Sequence, residues 1–172
     1  MPLISRLPAN HTIREFRLAA GQRYREAVHL ATAGDRLAAI YLCGYAAEML
    51  LKAAYFRLIG RSATAPITVG DLQSAKHYAT TTLGLIWIGN LHSLTSWAEP
   101  LVEERRLRGL PLPASMARGL HARVRRIYAN WRETIRLVGW VEALRNPPGF
   151  KRGGLRKAST HPTRSQSVPR TG

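Results

Sequence analysis

Acidic side chains are scarce in this chain. Ten Asp and Glu stand against 26 Lys and Arg in 172 residues, for a formal charge of +16 and a pI near 11.4. No acidic residue follows Glu142. Such an excess favours polyanionic partners and does not choose among RNA, DNA, an acidic protein and anionic lipid. Cysteine is nearly absent: Cys43 stands alone, which excludes an intramolecular disulfide framework and a cysteine-rich zinc site. Lying in an apolar stretch, it reads as a buried, inert thiol. The six His form no His-x-x-x-His pair and carboxylates are few, so no metal site and no cofactor is expected. A Walker loop, a Gly-x-Gly-x-x-Gly turn and a nucleophile elbow are all missing. Residues 37–47 are uncharged but short of the ~18–20 needed to span a bilayer, and the first eleven residues lack a signal core. The expectation is one soluble, cytoplasmic domain without a membrane segment.

What is present is helical periodicity. Residues 35–60 open on Asp35, an N-cap residue type, and close on Gly60, a C′ residue type. Between them the only charges are Arg36, Glu48, Lys52 and Arg57. A helix apolar nearly all round predicts a central position with neighbours covering every face. Before it, Thr12 and Glu15 have the spacing of a capping box, and Ile13, Phe16, Ala20, Tyr24, Ala27, Val28 and Ala31 recur at three- and four-residue steps. The two helices then form an antiparallel hairpin through a very short turn.

Residues 61–68 read as a loop, and Thr68 and Asp71 as the cap of a third, weaker helix ending before Gly84. Residues 91–108 read as helical with Pro100 inside; Pro100 either kinks one helix or stands at N1 of a second. Residues 115–138 carry the clearest amphipathic pattern. Met116, Leu120, Val124, Ile127, Trp131, Ile135 and Val138 share one arc, and Arg118, Arg125, Arg132 and Arg136 lie together on the opposite face. Gly139 reads as the stop, followed by a short helix at 140–145. Residues 1–146 thus form one all-α, up-and-down bundle of about five or six helices. Residues 147–172, rich in Gly, Ser, Thr, Pro, Lys and Arg, read as a disordered basic tail.

The run Gly44-Tyr45-Ala46, then Glu48, then Leu51-Lys52-Ala53 resembles the second helix of HEPN-domain proteins, where Gly-Tyr-Ala-x-Glu-x-x-Leu-Lys-Ala is common. The likeness is strongest around this helix and weaker beyond it. Some HEPN relatives also carry Trp, four residues, then Arg-Tyr; here Trp131 and Arg136 match, with Leu137 in the Tyr position. His92 in Asn90-Leu-His-Ser-Leu resembles the His-x-Leu that often follows their third helix. The resemblance implies a homodimeric protein of toxin–antitoxin or defence systems, often beside a minimal nucleotidyltransferase. Active members cleave RNA without metal, using an Arg and a His separated by four to six residues near the start of the last core helix.

That pair is not found where the resemblance puts it. Arg6/His11, Arg23/His29 and Arg156/His161 have the spacing, but roughly two such matches arise by chance in so Arg-rich a chain. None lies in residues 115–138. The reading is therefore a HEPN-like protein without the usual catalytic pair, binding RNA or a nucleotidyltransferase-type partner. His92 and Arg136 remain as weak catalytic candidates, and Arg118, Arg125, Arg132 and Arg136 as the RNA- or anion-binding face. Two alternatives stand beside it: an active metal-independent endoribonuclease with an unrecognised site, and a purely structural interaction module.

Overall fold

The computed structural model describes residues 11–145, with side chains up to Arg136. The Val138 side chain and the basic tail fall outside what is described. Five α-helices carry almost all of it: α1 (Ile13–Thr32), α2 (Arg36–Leu58), α3 (Val69–Thr81), α4 (Leu94–Leu107) and α5 (Ala114–Arg145). The chain is an all-α bundle. Helix α1 pairs with α2 as a hairpin, and α2, α4 and α5 pack on one another. The shared core joins Leu51, Tyr55 and Phe56 of α2 to Trp97 of α4 and to Val124 and Trp131 of α5.

Local chemistry sets most helix starts. Thr12 Oγ1 accepts from the Glu15 amide at 3.2 Å, and the Glu15 carboxylate accepts from the Thr12 amide at 2.7 Å. Thr68 and Asp71 repeat the device on α3, at 3.1 and 2.8 Å. Thr80 and Thr81 are tolerated at the end of α3 because their hydroxyls donate back to carbonyls of Lys76 and His77. Helix α4 begins at Leu94 rather than residue 91 because Ser93 caps it.

Several expectations are corrected. Residues 66–67, read as part of a loop, pair with residues 11–12 as a two-stranded antiparallel ribbon of β1 (His11–Thr12) and β2 (Pro66–Ile67), with His11 opposite Ile67. Loop carbonyls of Ala65 and Ala63 accept from the amides of Ile13 and Arg14, groups that a helix start leaves without partners. Of the two readings of Pro100, the start of a second helix is excluded: its buried ring sits inside one helix, α4. Gly139 does not stop α5, which continues to Arg145. Glycine costs a helix about 1 kcal/mol but permits a left-handed cap without imposing one. Met116 and Ile135, placed on the apolar arc, are exposed. Cys43 is half-buried rather than buried, though burial still pushes its thiol pKa up.

Helix α2 is central, but its neighbours do not cover every face. With α1, α4 and α5 beside it, the flank carrying Leu50, Ala54 and Arg57 stays open. By length and composition alone α2 could cross a membrane, with a mean hydropathy of 1.4 over an 18-residue window. The sequence reading broke that run at Glu48. In the bundle, Glu48 and Lys52 are buried and face each other, a pairing that a core helix supports.

Helices α2 and α5 approach closely at Gly44. A Cβ on Gly44 would overlap the indole ring of Trp131, which is 1% exposed. Gly44→Ala should therefore lower stability by about 3 kcal/mol in chemical denaturation, at the upper end for overpacking. Replacing Trp131 with Leu in that background should recover part of the loss. Additive losses would show that the two residues do not meet.

Candidate functional site

Residues from three separate parts of the chain converge on one cleft of about 470 Å³. Helix α2 contributes Tyr45, the segment before α4 contributes Asn90 and His92, and α5 contributes Trp131, Arg132 and Arg136. The segment before α4 has no regular structure, yet side chains hold it in place. Ser96 Oγ donates to the Ile88 carbonyl at 3.0 Å and accepts from the Ile88 amide at 2.9 Å. Trp97 Nε1 donates to the Leu91 carbonyl at 2.9 Å. Gly89 turns with φ +82° directly under the Tyr128 hydroxyl, where a side chain would be strained. Asn90 Oδ1 then accepts from the His92 amide at 2.9 Å, closing an Asx-turn that presents the imidazole.

His92 is anchored from behind. Its Nδ1 lies 2.8 Å from Oε1 of Glu48, and Lys52 Nζ converges on that same oxygen. Glu48 is 5% exposed and Lys52 3%, whereas the His92 side chain is 60% exposed. Burial alone would push the Glu48 carboxyl pKa up; the His92 hydrogen bond and the charges of Lys52 and His92 outweigh it and hold the pKa below the ordinary value. An ionised carboxylate only accepts, so Nδ1 carries a hydrogen, and Nε2 is the ring nitrogen without a partner among the described residues. Lys52 is held on its other side by the Trp97 ring, 5.6 Å away.

The floor of the cleft is aromatic. Tyr45 meets Trp131 edge-on at 5.2 Å between centroids, and the Tyr45 hydroxyl lies 3.3 Å from that of Tyr41. Burial, the Tyr41 contact and the Glu48 charge all push the Tyr45 phenol pKa up, so it stays a protonated donor. On the rim, Arg132 lies over the Tyr128 ring at 5.7 Å.

The sequence candidates divide accordingly. Gly44, Tyr45, Glu48, Lys52, His92, Trp131, Arg132 and Arg136 all lie in or directly behind the cleft. Arg118 and Arg125 are exposed on α5 but outside its lining; Arg125 is about 10 Å along the axis from Arg132. Arg136 makes no ion pair with Glu48. Arg136 instead faces Glu133 at 3.8 Å, with both side chains exposed, because Glu48 is already matched by Lys52 and His92. Of the three Arg/His pairs, Arg23 bonds Glu26 on the surface of α1, and the other two extend outside the described residues. Asn90, Gly89 and Tyr128 were not singled out from sequence; an Asn two residues before His92 is the only local signal of the turn. No His, Cys, Asp and Glu cluster able to hold a metal occurs among the described residues. Comparison with protein-family models, curated proteins and solved structures finds no match to this chain.

Removing one member of the buried Glu48–Lys52 pair leaves an uncompensated charge. Lys52→Met should cost about 3–5 kcal/mol in denaturant unfolding, and Glu48→Gln with Lys52→Met much less. Because the folded pKa of Glu48 lies below its unfolded value, its contribution is full above about pH 4.3 and is lost as pH falls through the folded value. The difference between wild type and the double variant should therefore shrink on acidification. A difference independent of pH would remove Glu48 as the anchor.

Proposed function

We propose that this protein is a HEPN-like helical bundle that binds RNA through the cleft between α2, the His92 turn and α5, without the family's usual Arg/His cleavage pair. The observation that carries this reading is the convergence of His92, Arg132 and Arg136 above an aromatic floor. Two guanidinium groups suit phosphate oxygens, and the part-buried rings of Tyr45 and Tyr128 that line the cleft suit splayed-out bases. The net charge of +16 supports the same class of partner. By the resemblance in α2, the setting is a cytoplasmic toxin–antitoxin or defence system, with a homodimeric protein and a nucleotidyltransferase-type partner.

The anchored His92 beside two arginines favours a second reading, metal-independent RNA cleavage. Nε2 could exchange a proton with a ribose hydroxyl while a guanidinium faces the phosphate. Incubation with RNA in EDTA separates the two: stable RNA supports binding alone, and cleavage lost in His92→Ala supports the enzyme.

For binding, Arg132→Ala with Arg136→Ala should weaken single-stranded RNA association and reduce the slope of log K against log salt by about 1–1.5, the share of two phosphate contacts. Deleting residues 147–172 should leave salt-dependent binding in place, measured by fluorescence anisotropy. Binding that vanishes with the tail and ignores both arginines would sink the cleft as the RNA site.

A further inference from the structure

A second cavity, of about 360 Å³, lies between the end of α2, α3 and the end of α4. It is within the size range of small-molecule sites. Its carboxylates are already engaged. Asp71 accepts from Arg61 and from the Thr68 amide and hydroxyl, the last two at 2.8 Å. Glu104 accepts from Arg108 Nε at 2.7 Å and from the Tyr78 hydroxyl at 3.2 Å.

The groups left over are donors. Arg108 uses only Nε, so both of its Nη groups lack a partner among the described residues. Tyr55 is 2% exposed and lines the cavity, yet its hydroxyl makes no hydrogen bond among the described residues. The oxygen is not sealed from solvent, so it opens onto the cavity as a donor available to a ligand there. Burial, then the nearby Glu104 carboxylate, pushes the Tyr55 pKa up to about 12, which keeps the phenol a donor at neutral pH. Apart from Ser74, the remaining wall is apolar: Phe56, Ile59 and Ala75.

We propose that this cavity binds a small carboxylic acid with an apolar body, its carboxylate forked by the Arg108 Nη groups and accepting from the Tyr55 hydroxyl. A planar guanidinium with two parallel free N–H groups matches a carboxylate better than any neutral acceptor. The apolar body lies against Phe56 and Ile59, between α2 and α3. The site is independent of the cleft, since the two share no residue.

The test is an NMR titration of the full chain with sodium octanoate, with octanol and octylamine hydrochloride as controls. Saturable shifts at Ser74, Ala75 and Tyr78 are expected with octanoate, and affinity at least about ten-fold weaker with octanol. Arg108→Gln, at the exposed end of α4, and Tyr55→Phe, which removes only the hydroxyl, should each weaken octanoate about ten-fold while retaining the wild-type circular dichroism. Arg132→Ala should bind octanoate normally. Three results would overturn the proposal: no saturable shift, octanol or octylamine binding as well as octanoate, or Arg108→Gln binding as tightly as wild type.

Discussion

A carboxylate buried in a helical bundle must be matched by positive charge or protonated, and Glu48 is matched twice through one oxygen. Lys52, one turn on, is the local partner, and it can be buried because Glu48 and the Trp97 ring flank it. His92 is the distant partner, 44 residues away along the chain. The same ion group thus locks α2 internally and ties the irregular segment before α4 to it. Without that tie the imidazole would have only the Asn90 turn to hold it. The Glu48 oxygen Oε2 makes no hydrogen bond among the described residues, which makes the two contacts at Oε1 the more necessary.

One turn back from Glu48, Gly44 performs the other half of the task. Its missing side chain lets the Trp131 indole lie against the α2 backbone, and that contact sets how closely α5 approaches. Trp131 in turn meets Tyr45, so the floor of the cleft is built from the two residues that follow from this closeness. Gly44, Tyr45 and Glu48 therefore act as one surface of α2: the first admits α5, the second forms the floor, and the third positions His92.

The parts of this arrangement legible in sequence are those encoded locally. The capping boxes at Thr12 and Thr68, the hairpin at Ala33 and Gly34 and the apolar runs are short-range signals, and the all-α bundle follows from them. The ribbon of β1 and β2 was not legible, because two-residue strands carry no period and their partners, His11 with Ile67 and Thr12 with Pro66, are far apart along the chain. The end of α5 was misplaced at Gly139 because a glycine in a sequence does not announce its dihedral angles. For the candidate site, residue types were legible and pairings were not. Glu48 and Lys52 are four residues apart on one helix, but that His92 is the third partner depends on the path of an irregular segment stitched by Ser96, Asn90 and Trp97.

That choice of partner has a consequence for charge. Had Arg136 neutralised Glu48, the cleft would present one free guanidinium and an unanchored imidazole. Because Lys52 and His92 satisfy Glu48 instead, Arg136 is opposed only by exposed Glu133 at 3.8 Å, a surface contact worth at most about 1 kcal/mol. Arg132 rests on the Tyr128 ring, a partner that orients it without cancelling its charge. The buried ion group thereby leaves the cleft rim positive. A phosphate entering there meets two cations that are positioned but not neutralised, and an imidazole whose free nitrogen is set by a carboxylate behind it.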